Sequence, residues 1–227
     1  MSCPSLYQIG YTFGKFIKQI HNQKETKVIT LDVNADYNAD GIQQPTSNIS
    51  NALASFSKYY DSKLQILTSN DFFPGSLTIQ NQMFGYVESI SSPATLVFRL
   101  TSDSQRVESF VFNQCGIIYF KNVNFRVPEE VSPQSTDYSF IPFKANMLQI
   151  LIFESCTFTY EGSSPYFNWF HLNATNMYLI GCEFKANVNH TIAISPMLAS
   201  GLFDYGCNLD SLTLKGSGNW ISSEVVS

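Results

Sequence analysis

Charge is scarce in this chain. Lys, Arg, Asp and Glu make up 14% of its 227 residues, against about 25% in an ordinary globular domain. The formal net charge is -5, and Lys and Arg do not cluster. A basic footprint for nucleic acid is therefore missing. No run approaches the roughly eighteen apolar residues of a membrane span. The start, Met1-Ser2-Cys3-Pro4-Ser5, lacks the basic and apolar regions of a secretory signal. None of Cys3, Cys115, Cys156, Cys182 and Cys207 forms a Cys-x-x-Cys pair, and no His stands at ligand spacing. That argues against a zinc site, and no metal or cofactor is expected. His21, His171 and His190 are dispersed, and no Ser-His-Asp order, nucleophile elbow or phosphate-cradling glycine loop occurs. Asn-Gly hairpin turns, which an antiparallel jelly roll would favour, are also missing.

What is abundant is aromatic mass, with 19 Phe and 12 Tyr, enough to build a core and to exclude wholesale disorder. Much of it falls in a recurring pattern: apolar-x-apolar-x-small or polar-x-x-apolar. Ile118-Tyr119-Phe120-Lys121-Asn122-Val123-Asn124-Phe125 is the clearest copy. Leu151 to Phe158 and Met177 to Phe184 repeat it position for position. A looser copy runs from Leu77 to Phe84, and a fading one from Leu212 to Ser217. Two alternating apolar residues make a strand face, a small or amide residue turns the chain, and the next apolar residue points back inside. Start positions 77, 118, 151, 177 and 212 give spacings of 41, 33, 26 and 35 residues. Such recurrence is the mark of a solenoid, whose turns bury their faces against one another. The segments favour β-branched and aromatic residues over helix formers. The pattern predicts an all-β parallel β-helix with irregular loops. The wide first gap predicts a further rung near Leu96-Val97-Phe98-Arg99-Leu100.

Between the copies lie Phe110–Phe112, Phe140–Phe143, Trp169–Leu172 and Leu202–Phe203, read as strands on a second side of each turn. Cys156 and Cys182 share a repeat position, so stacking brings them together, either as buried thiols in a small slot or as a disulfide. Ahead of the repeats, Leu6, Ile9, Phe13, Phe16, Ile17 and Ile20 recur with helical period over residues 5 to 20. Gly10 and Gly14 lie on one side of that helix, and Lys15 and Lys18 wet another. Two units follow: residues 1–26 as an amphipathic capping or anchoring helix, and residues 27–227 as the β-helix. A strand is expected at 27–33 and a second helix from Ile49 to Tyr60, capped by Ser47 or Asn48. An open last rung would present an unpaired edge, so a downstream domain or partner is expected there.

The opening of the β-helix unit reads Asp32-Val33, Ala39-Asp40-Gly41, a helix around Asn51-Ala52-Leu53, then Phe73-Pro74-Gly75-Ser76-Leu77-Thr78-Ile79. This order resembles the start of pectate-lyase-like β-helix proteins, phage tailspikes in particular. The later rungs are similar to that family's Leu-x-Ile-x-Asn-Cys-x-Phe rung. The resemblance implies a right-handed parallel β-helix with a helix plugging its N-terminal end. It further implies side-by-side homotrimers, glycan binding along a face or groove, and a place on a virion tail or extracellular surface. The chain is much shorter than such tailspikes.

Function is then an attachment protein for a surface polysaccharide, or a particle component contacting other particle proteins. The alternative is a polysaccharide lyase or glycosidase on the same scaffold. The family's enzyme motifs are not found. The remaining catalytic candidates are Asp204, Asp210 and Glu183, since a hydrolase needs two carboxyls about 5–9.5 Å apart. Glu154 is expected to point outward. The candidate binding loop runs from Tyr160 to Trp169, with Tyr160, Tyr166 and Trp169 offering faces to sugar rings.

Overall fold

A computed structural model of the chain describes residues 26–102, 106–134, 138–187, 189–194, 200–209, 211–216 and 219–223. The expected helix over 5–20 and Asp210 lie outside these residues. Within them the chain is a parallel β-solenoid. It opens with β1 (Lys27–Asp36) and helix α1 (Ile49–Phe56). Successive turns then carry β2 (Asp61–Ile66), β3 (Asp71–Phe72) and β4 (Leu77–Gln80); β5 (Phe84–Ser89), β6 (Ala94–Val97) and β7 (Phe110–Asn113); β8 (Ile117–Lys121), β9 (Val123–Val127) and β10 (Phe143–Asn146). The later turns carry β11 (Ile150–Glu154), β12 (Thr157–Tyr160) and β13 (Asn168–Asn173); β14 (Asn176–Ile180), β15 (Glu183–Ala186) and β16 (His190–Ile194); then β17 (Gly201–Tyr205), β18 (Leu212–Gly216) and β19 (Asn219–Ser223).

These strands stack into three parallel sheets. Sheet I runs β1-β2-β5-β8-β11-β14-β17-β19, sheet II runs β3-β6-β9-β12-β15, and sheet III runs β4-β7-β10-β13-β16-β18. Register holds like residues in columns. On sheet I the inward column is Leu64, Val87, Phe120, Phe153 and Leu179. Sheet II contributes Phe72, Leu96, Phe125, Phe158 and Phe184. Sheet III adds Phe110, Phe143 and Phe170. Neighbours within a column stack: Phe120 on Phe153 at 5.2 Å and Phe158 on Phe184 at 4.5 Å between ring centroids. Across columns the rings meet edge to face, as Phe125 meets Phe143 at 5.0 Å. Both arrangements suit the ring quadrupole.

Two corners repeat along the stack, each built on one left-handed residue. From sheet I to sheet II the corner residues are Asn122, Ser155, Gly181 and Gly206; from sheet III to sheet I they are Asn81, Gln114, Met147 and Ala174, all at positive φ. At Asn81, Gln114, Asn122, Met147, Ser155 and Gly181 the backbone N–H bonds forward to the next turn, as Ser155 N to Ile180 O at 2.8 Å and Gln114 N to Asn146 O at 3.0 Å. The residue after the corner turns inward, placing Val123, Cys156 and Cys182 in one file. Cys115, Cys156, Cys182 and Cys207 are free thiols.

Several sequence expectations are corrected by this topology. The copies starting at Leu77 and Leu212 belong to sheet III, not to the sheet of the other three. The corner pattern is the same at both bends, so the motif alone does not say which bend it marks. The true predecessor of Ile118 on sheet I is Gly85, hidden because a glycine takes the first apolar position. An added Cβ at Gly85 would lie 2.8 Å from Ile118 Cδ1 and 2.8 Å from Phe56 Cζ, so the space is filled by neighbours. The extra rung is real, with β6 as its sheet II side. Leu202–Phe203 lies on sheet I beside β14, not on the side of Trp169–Leu172. Phe140 belongs to a short 3-10 turn, Tyr138–Phe140; Pro142 has no N–H to give to a ladder, and β10 begins after it.

Helix α1 ends at Phe56 rather than Tyr60. Asn48 caps its start, its side chain accepting from Ser50 N and Asn51 N. Ile49, Ala52, Leu53 and Phe56 are buried in the main core, against β1 and β2 at the first end of the stack. The buried Gln82 amide donates to Phe56 O at 3.0 Å and to Tyr59 O at 3.1 Å, satisfying carbonyls at the helix end. Among the described residues no helix is long and apolar enough to cross a membrane.

Candidate functional site

A concavity with convergent polar groups lies along the corner between sheets III and I. It encloses about 400 Å³. Tyr60, Met83 and Met147 supply exposed apolar surface, at 57%, 46% and 52% exposure. Exposed Asn81, Gln114 and Gln149 supply amide donors and acceptors around it. The fold sets their spacing. Asn81, Gln114 and Met147 are the left-handed corner residues of three successive turns, so they repeat at the inter-strand distance of about 4.8 Å. The backbone beneath is fixed by Met83 N to Tyr60 O at 2.9 Å, Gly116 N to Gln82 O at 2.9 Å and Gln149 N to Cys115 O at 3.0 Å. Gly116 is required there, because a Cβ would come 2.3 Å from the Met83 carbonyl oxygen. Left-handed backbone costs a residue with a side chain roughly 1–2 kcal/mol. Strain of this kind concentrates at functional sites when the surroundings hold it.

The binding loop expected from sequence is placed differently. Tyr160 is buried, stacked on Phe167 at 4.0 Å, and its hydroxyl donates to Val131 O at 2.9 Å. Trp169 is buried between Phe158 and Phe167. Both therefore turn their faces to protein, and Tyr166, at 45% exposure, is the member of the trio that faces solvent. Tyr160 falls on the inward register of β12, and Trp169 on the packed side of β13 beside Phe158, so their aromatic mass belongs to the core.

The carboxylate candidates are not brought together among the described residues. Asp204 is 3% exposed and follows Leu179 in the inward column of sheet I. Glu183 lies on the outer face of sheet II, where Lys185 pairs with it at 2.9 Å. That pair edges a second, shallower cleft of about 490 Å³ with Asn187, Asn189, Asn208 and Ser211. Glu154 points outward as expected, paired with Lys121 at 2.9 Å and accepting from the Tyr119 hydroxyl. Arg126, also on the outer face of sheet II, pairs with Asp71 at 3.2 Å. His171 packs edge-on against Tyr138 at 4.8 Å, and burial, then the charge of Lys144, pushes its pKa down. Among the described residues no three His, Cys, Asp or Glu side chains are grouped to hold a metal.

Comparison with protein-family models, with curated proteins and with solved structures finds no match to this chain. The site is therefore read from its own chemistry. The groove was missed in sequence because its residues come from the short corners between strands. The available signal was the amide-rich run of corner positions, Asn81 and Gln114 above all.

Proposed function

We propose that this chain is a tailspike-like attachment module, which binds a surface polysaccharide without cutting it. The corner groove carries the reading. It pairs a short apolar platform, Tyr60, Met83 and Met147, with neutral amides at Asn81, Gln114 and Gln149. That combination suits the two faces of a sugar ring, since C–H faces rest on apolar surface and amides take hydroxyls in both senses. The regular rise between turns suits a polymer of repeating units better than a single small ligand. Among the described residues no carboxylate lines the groove, whereas glycoside hydrolysis needs two within about 10 Å. Lateral trimerisation and a place on a virion or other extracellular surface belong to the same proposal.

A panel of bacterial surface polysaccharides, read for retained glycan and for chain length together, tests it. Retention without shortening is the expected result. Tyr60→Ala should weaken retention by two- to tenfold, corresponding to about 0.5–1.5 kcal/mol of lost face contact, with Gln114→Ala acting in the same direction. Shortened polysaccharide would replace this reading with a depolymerase. Retention indifferent to both substitutions would move the site elsewhere, with Tyr166 next.

A further inference from the structure

The corner groove does not stop at its rim. On the outward face of sheet III, Gln80, Asn113, Asn146 and Asn173 stand in register at the ends of β4, β7, β10 and β13. Each is followed directly by a left-handed corner residue, Asn81, Gln114, Met147 or Ala174. Asparagine is depleted in strands, yet an amide closes this outward column in four successive turns. The core does not ask for it, because the inward neighbours Ile79, Phe112, Ala145 and Leu172 are the ones that fill the stack. At about 4.8 Å per turn the column is about 14 Å long. Asn173 Nδ2 donates to Asn146 Oδ1 at 2.8 Å, while Asn173 Oδ1 has no hydrogen-bond partner, so the ladder does not satisfy itself. Charge is missing from this surface as well. Among the described residues, neither the column nor the groove lining contains Lys, Arg, Asp or Glu. The next outward column of sheet III does hold Lys144 and His171. Lys144 lies over the Tyr138 ring at 4.6 Å, and His171 packs on the edge of the same ring at 4.8 Å.

We propose that the binding surface extends from the groove across this amide column, and that its ligand is an uncharged polysaccharide lying along the solenoid axis. The inference rests on the attachment reading of the groove and adds the ligand's class and course. Selection against acidic glycans follows from what the surface cannot compensate. A carboxylate or phosphate that gives up water on binding needs a cation or a charge-assisted partner, and neither the groove nor the column supplies one. A hydroxyl both donates and accepts, and so does an amide, so each can satisfy the other without a charge. The axial course follows from the register. Each turn presents the same pair of positions, the strand-end amide and the corner residue, at the same rise. A polymer of repeating units meets that array once per turn, whereas one sugar meets a single step of it.

Retention of neutral and of uronate-bearing bacterial polysaccharides by the full chain tests this, with dextran sulfate as a polyanion control. Neutral members should be retained, and their binding should change by less than about threefold between about 0.05 and 0.5 M salt, since no ion pair is there to screen. The double variant Asn113→Ala, Asn146→Ala removes two amides from the column and should weaken retention by at least about fivefold. Thr159→Ala, on the outer face of sheet II, should bind as the parent does. The urea midpoint of each variant shows whether the fold is intact, and the salt series on the parent chain needs no variant at all. Retention confined to acidic members, or lost as salt rises, overturns the uncharged ligand while leaving an attachment module. Retention that falls with Tyr60→Ala but ignores the Asn113, Asn146 pair overturns the extension and leaves the groove. Retention of no member overturns this proposal together with the reading it rests on.

Discussion

Replacing Gly181 by alanine isolates the cost of the corner backbone from everything else in the stack. Gly181 sits at φ +55 between β14 and β15, and a Cβ added there would meet nothing within 4 Å. No packing change therefore accompanies the substitution. A left-handed backbone costs an L-residue about 1–2 kcal/mol. The unfolded chain, losing glycine's freedom, returns about 0.4–1 kcal/mol. The net loss should be near 1 kcal/mol, a fall of about 0.5 M in the urea midpoint for a slope near 2 kcal/mol/M. Ser155 occupies the same corner one turn earlier, at φ 52, so Ser155→Gly should run in the opposite direction by a similar amount. Gly181→Asn should cost less than alanine, because asparagine tolerates this region. Equilibrium urea unfolding followed by circular dichroism reads all three, with unchanged slopes as the check that only stability moved. A midpoint raised by Gly181→Ala and lowered by Ser155→Gly would refute the left-handed corner, and with it the forward hydrogen bonds Ser155 N to Ile180 O and Gly181 N to Tyr205 O.

Phe153→Ala should cost about 3–5 kcal/mol, since Phe153 is fully buried and meets Phe120, Phe125, Phe143, Phe158 and Phe170 within 5.7 Å; a loss under about 1 kcal/mol in urea unfolding would show that the column is loosely packed. The buried thiols of Cys115, Cys156 and Cys182 should react with iodoacetamide only after unfolding, because burial pushes the Cys115 and Cys182 pKa values up and the thiolate is the reactive form; labelling at the rate of a free thiol by mass spectrometry would contradict this. His171 has its pKa lowered by burial and by Lys144, so the unfolded chain binds the proton more readily. Its contribution to stability is present above about pH 6.5, falls as pH drops through that value toward the lower folded pKa, and is flat beyond it. His171→Gln should flatten that part of the stability–pH curve, and an unchanged curve would mean that His171 is as accessible to protons folded as unfolded.

The inward half of this molecule was legible in its sequence, and the outward half was not. Phe120, Phe153 and Phe125, Phe158, Phe184 repeat because each must fill the same space above and below its neighbours, and a column under that constraint leaves a periodic trace. The rungs that escaped notice broke the trace for local reasons. Gly85 gives up its side chain to Phe56 and Ile118, and Asp204 puts a carboxylate where an apolar residue was expected. The two bends were confused because a strand end, a left-handed residue and an inward residue are the same local event wherever they occur. Aromatic side chains misled in the other direction. Tyr160 and Trp169 look like sugar platforms in a loop, yet period two assigns Tyr160 inward beside Phe158, and Trp169 packs on the same ring.

Outward positions answer to no stacking constraint of that kind, which makes departures from polarity there informative. Sheet II behaves as a solvated sheet should, with Thr95, Asn124, Thr157 and Glu183 in one outer column and Arg126, Thr159 and Lys185 in the next. Sheet I does not: Tyr86, Tyr119, Ile152 and Tyr178 follow one another across four turns. An apolar column of that length on an exposed sheet would invite association. The column beside it, Glu88, Lys121 and Glu154, is charged. The corner groove departs in a third way, keeping methionine and glutamine at left-handed positions where glycine would cost less. In a solenoid the core explains the inward columns and solvent explains the polar outward ones. The residues explained by neither are the outer face of sheet I and the corner from Asn81 to Met147, and the proposed binding site draws on the second.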